Sequence, residues 1–354
     1  MKSLLKGLIG LGLRLSKPLA RKWANKGYFQ PRDWAKVEAK RVAIVACHWL
    51  GDTLWASQTI GAIQRRFPHA ELYAITKPGS IDIWNGWLMP DRILAAPEVV
   101  SDSQREKVSW RGLARRAKGW RSRNFDLVID LTGNRYSAFF TFWMKPACSV
   151  GFQGDELGWL YSHCVPDVEK RDGHLSERPF RVIQPLVTGA SISIPLVPRP
   201  PMPTVTLDKA LREVGIKGPP FYVLVPGAGW SKKEWNPDSF IRAGKMLAEK
   251  GSIIVTGSPS QAALCQKVAH GITDAKVSLA PIGRVAALLQ ASNGVLSNDT
   301  GLAHLAAAYG RKVVVVFRDT DPKRYTPLGP KGQVHVFKDH DRVEAVVAPL
   351  LGAR

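Results

Sequence analysis

Short runs of β-branched and aliphatic residues alternate with helix-length segments twice along this chain, and a proline-rich stretch separates the two sets. In the first set Arg41–Ala46 (RVAIVA) reads as a buried strand, Thr53–Phe67 as a helix stopped before Pro68, and Glu71–Thr76 as a second strand. Arg92–Ala95 and Asp126–Leu131 follow as strands with a basic helix between them, and Ser149–Phe152 is expected to close the sheet. The second set comprises strands at Phe221–Val225, Ser252–Thr256, Lys276–Leu279, Gly294–Ser297 and Lys312–Phe317. Helices at Pro237–Lys250, Ser260–His270, Val285–Ala291 and Leu302–Tyr309 fall between them. Continuous apolar runs suit strands covered on both faces, and strand–helix–strand alternation makes each sheet parallel.

Seven prolines lie from Pro195 to Pro220, so part of that stretch is a connector, with one short strand expected at Val205–Leu207. The 354 residues exceed the roughly 250–300 that one core accommodates. The sequence therefore divides into an α/β domain at 41–195 and another at 205–354, with a cleft between them, preceded by a segment at 1–40. Residues 1–26 carry seven basic residues and no acidic one, and Leu4, Leu8, Leu11 and Leu15 recur at helical spacing. They read as an amphipathic helix, lying in a membrane interface or docked on the body. No apolar run there approaches the ~20 residues of a membrane span.

Fifty Lys and Arg oppose 29 Asp and Glu, a formal charge of +21, so the partner is anionic: nucleic acid, anionic lipid or a phosphorylated substrate. No RRM, KH or helix-turn-helix signature appears, which leaves a non-catalytic nucleic-acid-binding α/β protein as the alternative reading. The four cysteines form no C-x-x-C pair and suit neither zinc nor a disulfide framework.

Ligands of parallel α/β sheets bind beyond the C-terminal strand ends, where three loops stand out. After the first strand comes Cys47-His48-Trp49-Leu50-Gly51-Asp52, in which Asp52 is either a helix cap or a carboxylate base. After Phe221–Val225 come Gly227, Ala228 and Gly229, small enough for a phosphate to approach the backbone, and then Lys232 and Lys233. Trp235 in this loop reads as a core residue. The third loop is Ser297-Asn298-Asp299-Thr300-Gly301, leading into a helix with His304 one turn on. A helix N-terminus there offers free N–H groups to an anion. Thr300 adds a hydroxyl, Asp299 an acceptor for a sugar hydroxyl, and His304 a donor or a core ring.

These loops resemble glycosyltransferase family nine, which includes the lipopolysaccharide heptosyltransferases. The matching pieces are Gly51-Asp52, Pro226-Gly227-Ala228 with Lys233-Glu234-Trp235, Gly257-Ser258, and Asn298-Asp299-Thr300-Gly301 with His304-Leu305-Ala306-Ala307-Ala308. The resemblance implies the GT-B architecture, two Rossmann-like domains facing each other, with the donor held by the C-terminal one and the acceptor by the N-terminal one. It places Asp52 at the catalytic base and Lys233 at the lysine contacting phosphate. It makes Gly227, Ala228, Gly229, Lys233, Gly257, Gln261, Asp299, Thr300, Gly301 and His304 the donor site. Gly51, His48 and Arg135 are the expected acceptor contacts. Three departures stand out: Gln261 replaces an acidic residue that often contacts the ribose, Arg318-Asp319 replaces Gly-Pro, and Asn236 occupies a common Pro position.

The implied reaction is metal-independent, inverting transfer of a sugar, heptose on ADP foremost, from a nucleotide diphosphate to a lipid-linked or phosphorylated glycan such as the lipopolysaccharide core. No cofactor or metal is expected; Asp319-Thr320-Asp321 spells D-x-D but falls in the family's tail. The implied partners are the donor, the acceptor and an anionic membrane, without nucleic acid. The implied location is cytoplasmic, peripheral on the inner face of the inner membrane.

Overall fold

The computed structural model describes residues 36–97, 109–152, 157–165, 173–187, 195 and 197–352. The helix expected over 1–26, and residues 98–108 in the segment where the basic helix before Asp126 was expected, lie outside the described residues.

The first sheet contains β1 (Arg41–Ala46), β2 (Glu71–Thr76), β3 (Ile93–Ala95), β4 (Leu127–Asp130), β5 (Cys148–Phe152) and β6 (His163–Val165). All pairings are parallel, in the order β3-β2-β1-β4-β5-β6. It carries α1 (Leu50–Ser57), α2 (Ile60–Arg66), a 3-10 segment at Pro78–Trp84, α3 (Trp110–Lys118), α4 (Arg135–Met144) and α5 (Arg178–Ile183). After α6 (Leu207–Val214), the second sheet contains β7 (Phe221–Val225), β8 (Ser252–Thr256), β9 (Lys276–Ser278), β10 (Gly294–Asn298), β11 (Val313–Phe317) and β12 (Val334–Lys338). Its order is β12-β11-β10-β7-β8-β9, again parallel throughout. Its helices are α7 (Pro237–Ala248), α8 (Ala262–His270), α9 (Ile282–Ala291), α10 (Gly301–Ala308), α11 (Pro322–Tyr325) and α12 (Val343–Leu351). Both halves thus share one doubly wound Rossmann order. The strand order reverses beside β1 and β4 in one half and beside β7 and β10 in the other, and such switch points open crevices.

Central strands are sealed on both faces. Every residue of β7, β10 and β11 is buried, as sequence runs such as FYVLV and VVVVF require.

Three expectations are corrected. The helix read at Thr53–Phe67 begins earlier, at Leu50, and breaks after Ser57. There the hydroxyls of Ser57 and Thr59 donate to the Leu54 and Ala56 carbonyls at 2.8 and 2.7 Å, competing with the helix ladder. The strand expected at Val205–Leu207 is instead the start of α6: Thr206 caps the helix and Gly215 ends it at φ 73°. The first sheet does not stop at Phe152, because β6 pairs with β5 as a three-residue edge strand.

The connector touches both halves. Gln58 exchanges two hydrogen bonds with the Arg199 backbone, and Tyr309 Oη donates to the Pro201 carbonyl at 2.6 Å. The halves also meet at two glycines: a Cβ on Gly301 would stand 2.4 Å from Leu50 Cβ, and one on Gly51 would stand 2.8 Å from the His304 ring. A third contact is a cap supplied across the cleft. Helix α9 begins after Pro281, which offers no side-chain cap, and Asp82 Oδ2 accepts from Gly283 N at 2.7 Å.

Candidate active site

A cleft of about 1040 Å³ lies between the halves, lined by the loops after β1, β7 and β10. Asp52 and Lys233 both line it, one from each half. Asp52 is the third residue of α1, whose N-cap position is Trp49, so its carboxylate does not serve as the cap. It sits in the first turn, where the helix N-terminus favours negative charge; burial pulls the pKa of neighbouring Lys77 down, and the Asp52 charge opposes that shift.

The loop behind Asp52 is held from beneath. Asp130, fully buried at the end of β4, accepts from Thr132 N at 2.8 Å, Gly133 N at 3.3 Å and Tyr161 Oη at 2.6 Å. Thr132 then accepts from Cys47 N at 2.9 Å, and its carbonyl faces His48 Nε2. Arg178 Nη1 donates to that carbonyl at 3.3 Å and packs its guanidinium over Phe152. Burial first, then the Arg178 charge, pulls His48 down to about 3, so the ring is neutral near pH 7. Gly51 and His48 line the cleft with Arg178 and Lys77. Arg135 does not. Asn134 caps α4, and Arg135, its first residue, is exposed and donates to Tyr136 Oη at 2.9 Å.

On the opposite wall, Asn298 splices two loops. Its amide donates to the Pro226 carbonyl at 2.7 Å and accepts from Trp235 N at 2.8 Å. Trp235 is a core residue. Gln261 clasps a second pair, accepting from Ser258 N at 3.0 Å and donating to the Ala228 carbonyl at 2.8 Å. Gly227 has to be glycine for this, since a Cβ there would lie 2.3 Å from Gln261 Cδ. Gly227, Ala228, Gly229, Gly257 and Gln261 all line the cleft.

Lys233 is buried, with Nζ 2.6 Å from Asp299 Oδ2 and 4.0 Å from the centre of the Trp230 ring. Asp299 Oδ2 also accepts from Thr320 Oγ1 at 2.7 Å. Helix α10 opens on the cleft at Gly301. The Thr300 hydroxyl works inside the loop: it accepts from Ala303 N at 3.4 Å and lies 3.0 Å from Ser297 Oγ, which itself donates to the Asn298 carbonyl. His304 is buried with its ring edge-on to Trp55 and Nε2 3.9 Å from Asp299 Oδ1. Nδ1 is buried with no hydrogen-bond partner among the described residues. Burial pulls this histidine down to about 4, against the opposing charge of Asp299.

The D-x-D spelling is taken up locally. Asp319 accepts from Trp230 Nε1 at 2.7 Å, and Asp321 caps α11 through Lys323 N at 3.0 Å. Arg178, Lys77, Asp130 and Tyr161 went unnoticed in the sequence. Only Asp130 carried a signal, an acid ending a buried apolar strand.

The description Glycosyltransferase family 9 (heptosyltransferase) matches residues 113–345. Lipopolysaccharide heptosyltransferase 1 of Pseudomonas aeruginosa is 25% identical over 316 residues, 84% of each chain. Lipooligosaccharide heptosyltransferase 2 of Haemophilus ducreyi is 21% identical over 324 residues, 83% of this chain and 88% of that one. Among solved structures, E. coli ADP-heptose lipopolysaccharide heptosyltransferase II superposes with a TM-score of 0.72 at 16% identity, covering 88% of this chain and 99% of that one. E. coli heptosyltransferase WaaC with ADP gives 0.67 at 19% identity, covering 89% and 100%. The fold is GT-B, two Rossmann-like halves around a cleft. With most of its length matched by that family's description, the chain belongs to glycosyltransferase family 9 and is a glycosyltransferase.

Proposed function

We propose that this enzyme transfers a heptose, with inversion, from ADP-heptose to a lipopolysaccharide-core or related lipid-linked glycan at the inner face of the inner membrane. The observation carrying this reading is one cleft with a carboxylate, Asp52, on one wall and the Lys233–Asp299 pair beside the α10 N-terminus on the other. The half at 205–354 holds the donor and the half at 41–195 the acceptor. An acceptor hydroxyl oxygen bonds to the anomeric carbon while the bond from that carbon to the phosphate oxygen breaks. The bonding pair leaves with the nucleoside diphosphate, and the hydroxyl proton passes to Asp52. Lys233 and the α10 N–H groups offset the charge developing on the diphosphate, the task a divalent cation performs elsewhere. His304, neutral near pH 7, offers one ring N–H to donor oxygens. The ADP-heptose choice is supported by the names of the similar proteins and by the apolar Leu279, Ala280, Pro281, Ile282 and Val285 at one end of the cleft, suited to a base.

The test is a thermal-shift screen of nucleotide sugars followed by a transfer assay with chelator present. ADP-heptose at 100 times its Kd should stabilise the protein by about 2.7 kcal/mol. A shift with another nucleotide sugar and none with ADP-heptose reassigns the donor. Loss of transfer in chelator, restored by magnesium, refutes metal independence.

A further inference from the structure

Helices α3 and α4 pack side by side over Ala43, Val45 and Val128 of the first sheet. Their inner residues Leu113, Ala117, Phe140 and Met144 are buried in that cluster. The outer side has a one-sided composition. Residues 109–125 hold six Lys or Arg, residues 134–147 hold two more, and neither segment has an Asp or Glu. The cations are interleaved with aromatic rings. Phe142 is 43% exposed. Lys118 Nζ lies 4.8 Å and the Arg121 guanidinium 5.7 Å from the centre of the Trp143 ring. Trp110 stacks on Tyr136 at 5.2 Å, and Arg135 lies over Tyr136 at 4.8 Å.

A merely solvated helix needs cations but no outward phenylalanine. Nucleic acid would explain the charge, yet base stacking wants open ring faces, and those of Trp143 and Tyr136 already carry cations. Aromatic bodies at headgroup depth with Lys and Arg reaching outward match an anionic bilayer surface. The position also fits, because α4 leaves the turn whose Thr132 carbonyl faces His48 in the cleft.

We propose that the α3–α4 face docks on an anionic phospholipid bilayer, bringing the acceptor wall of the cleft to the membrane surface. This rests on the lipid-linked acceptor of the proposed function and is independent of residues 1–26.

The test uses the full chain and vesicles of phosphatidylcholine with 30 mol% phosphatidylglycerol. An environment-sensitive fluorophore on Phe142→Cys should shift to the blue on vesicle addition, and one on Lys245→Cys, exposed on α7, should not. The triple variant Arg115→Gln, Arg116→Gln, Lys118→Gln should bind roughly 100-fold more weakly, at about 5-fold per cation near an anionic surface. Donor-induced thermal shifts should be unchanged in all variants. No spectral change at position 142 with vesicles, or unaltered vesicle binding by the triple variant, overturns the proposal. So does a triple variant that loses duplex DNA binding but keeps vesicle binding. Those failures, with donor shifts intact, leave the transferase reading standing; absent donor shifts in the parent protein would undo that reading instead.

Discussion

Replacing Lys233 by methionine separates what the lysine does for the fold from what it does for the reaction. Its side chain is 10% exposed, that of Asp299 4%, and their charged atoms are 2.6 Å apart. Water therefore screens the pair little. Among the described residues, Lys233→Met leaves the Asp299 carboxylate with the Thr320 hydroxyl at 2.7 Å and a neutral His304 at 3.9 Å. Breaking a buried pair from one side costs about 3–5 kcal/mol. At about 2–4 °C per kcal/mol for 150–250 residues, the melting point should fall by roughly 6–20 °C. Adding Asp299→Asn removes the uncompensated charge, and an amide oxygen still accepts from Thr320. The double variant should regain most of the lost stability. It should not regain transfer, since no cation faces the diphosphate. Calorimetry and donor titration of the parent, both single variants and the double complete the cycle. A Lys233→Met protein melting within a degree of the parent refutes the buried-pair argument. A double variant with restored turnover refutes the catalytic one.

Asp52→Asn should keep donor affinity while lowering transfer by roughly 10²–10⁴-fold, and near-normal turnover would remove the base assignment. Gln261→Glu exchanges the amide donor to the Ala228 carbonyl for a carboxylate facing it, at a cost of about 1–3 kcal/mol. Donor affinity measured by titration should weaken, and tighter binding would show that the new carboxylate reaches the ligand instead. His48 and His304 are held down to about 3 and about 4 by burial, so folding keeps them neutral while the unfolded chain protonates below about 6.5. The unfolded state then binds more protons, so the stability they confer is complete above pH 6.5 and is lost as pH falls toward the folded values. His304 alone accounts for about 3 kcal/mol across its window. Denaturant midpoints between pH 7.5 and 4.5 should be less pH-dependent in His304→Gln, and parallel curves would contradict the burial.

The three cleft loops were legible because each follows a sealed strand, and a buried strand in a parallel sheet must deliver its next residues to the open edge. That reasoning located Asp52, Lys233, Asp299 and His304 without knowing their distances. It could not see that Lys233 and Asp299 bond to each other, because 66 residues separate them and no periodicity links the loops. Arg178 comes from a six-residue helix, too short to show a period, and Lys77 follows β2 without a motif. Arg135, expected at the acceptor, is the first residue of α4 after the Asn134 cap, exposed and outside the cleft lining. In the fold, β6 and β12 escaped notice for a common reason. Edge strands are half-exposed, so HCV and VHVFK lack the apolar density of the inner strands.

The residues that depart from the family pattern are bound to the residues that follow it. Arg318-Asp319 stands in place of Gly-Pro, and from that loop Thr320 donates to Asp299 while Asp319 accepts from Trp230. Trp230 in turn covers Lys233 at 4.0 Å. The lysine is thus aimed by two contacts, the Asp299 carboxylate and the Trp230 ring, and each is itself held by a residue of the altered loop. An ammonium group has three N–H donors. Asp299 accepts one, so a diphosphate can take the others without dismantling the pair. In the proposed reaction Asp299 would fix where the positive charge stands before the donor arrives, and preorganised charge of this kind requires no rearrangement as the leaving group departs.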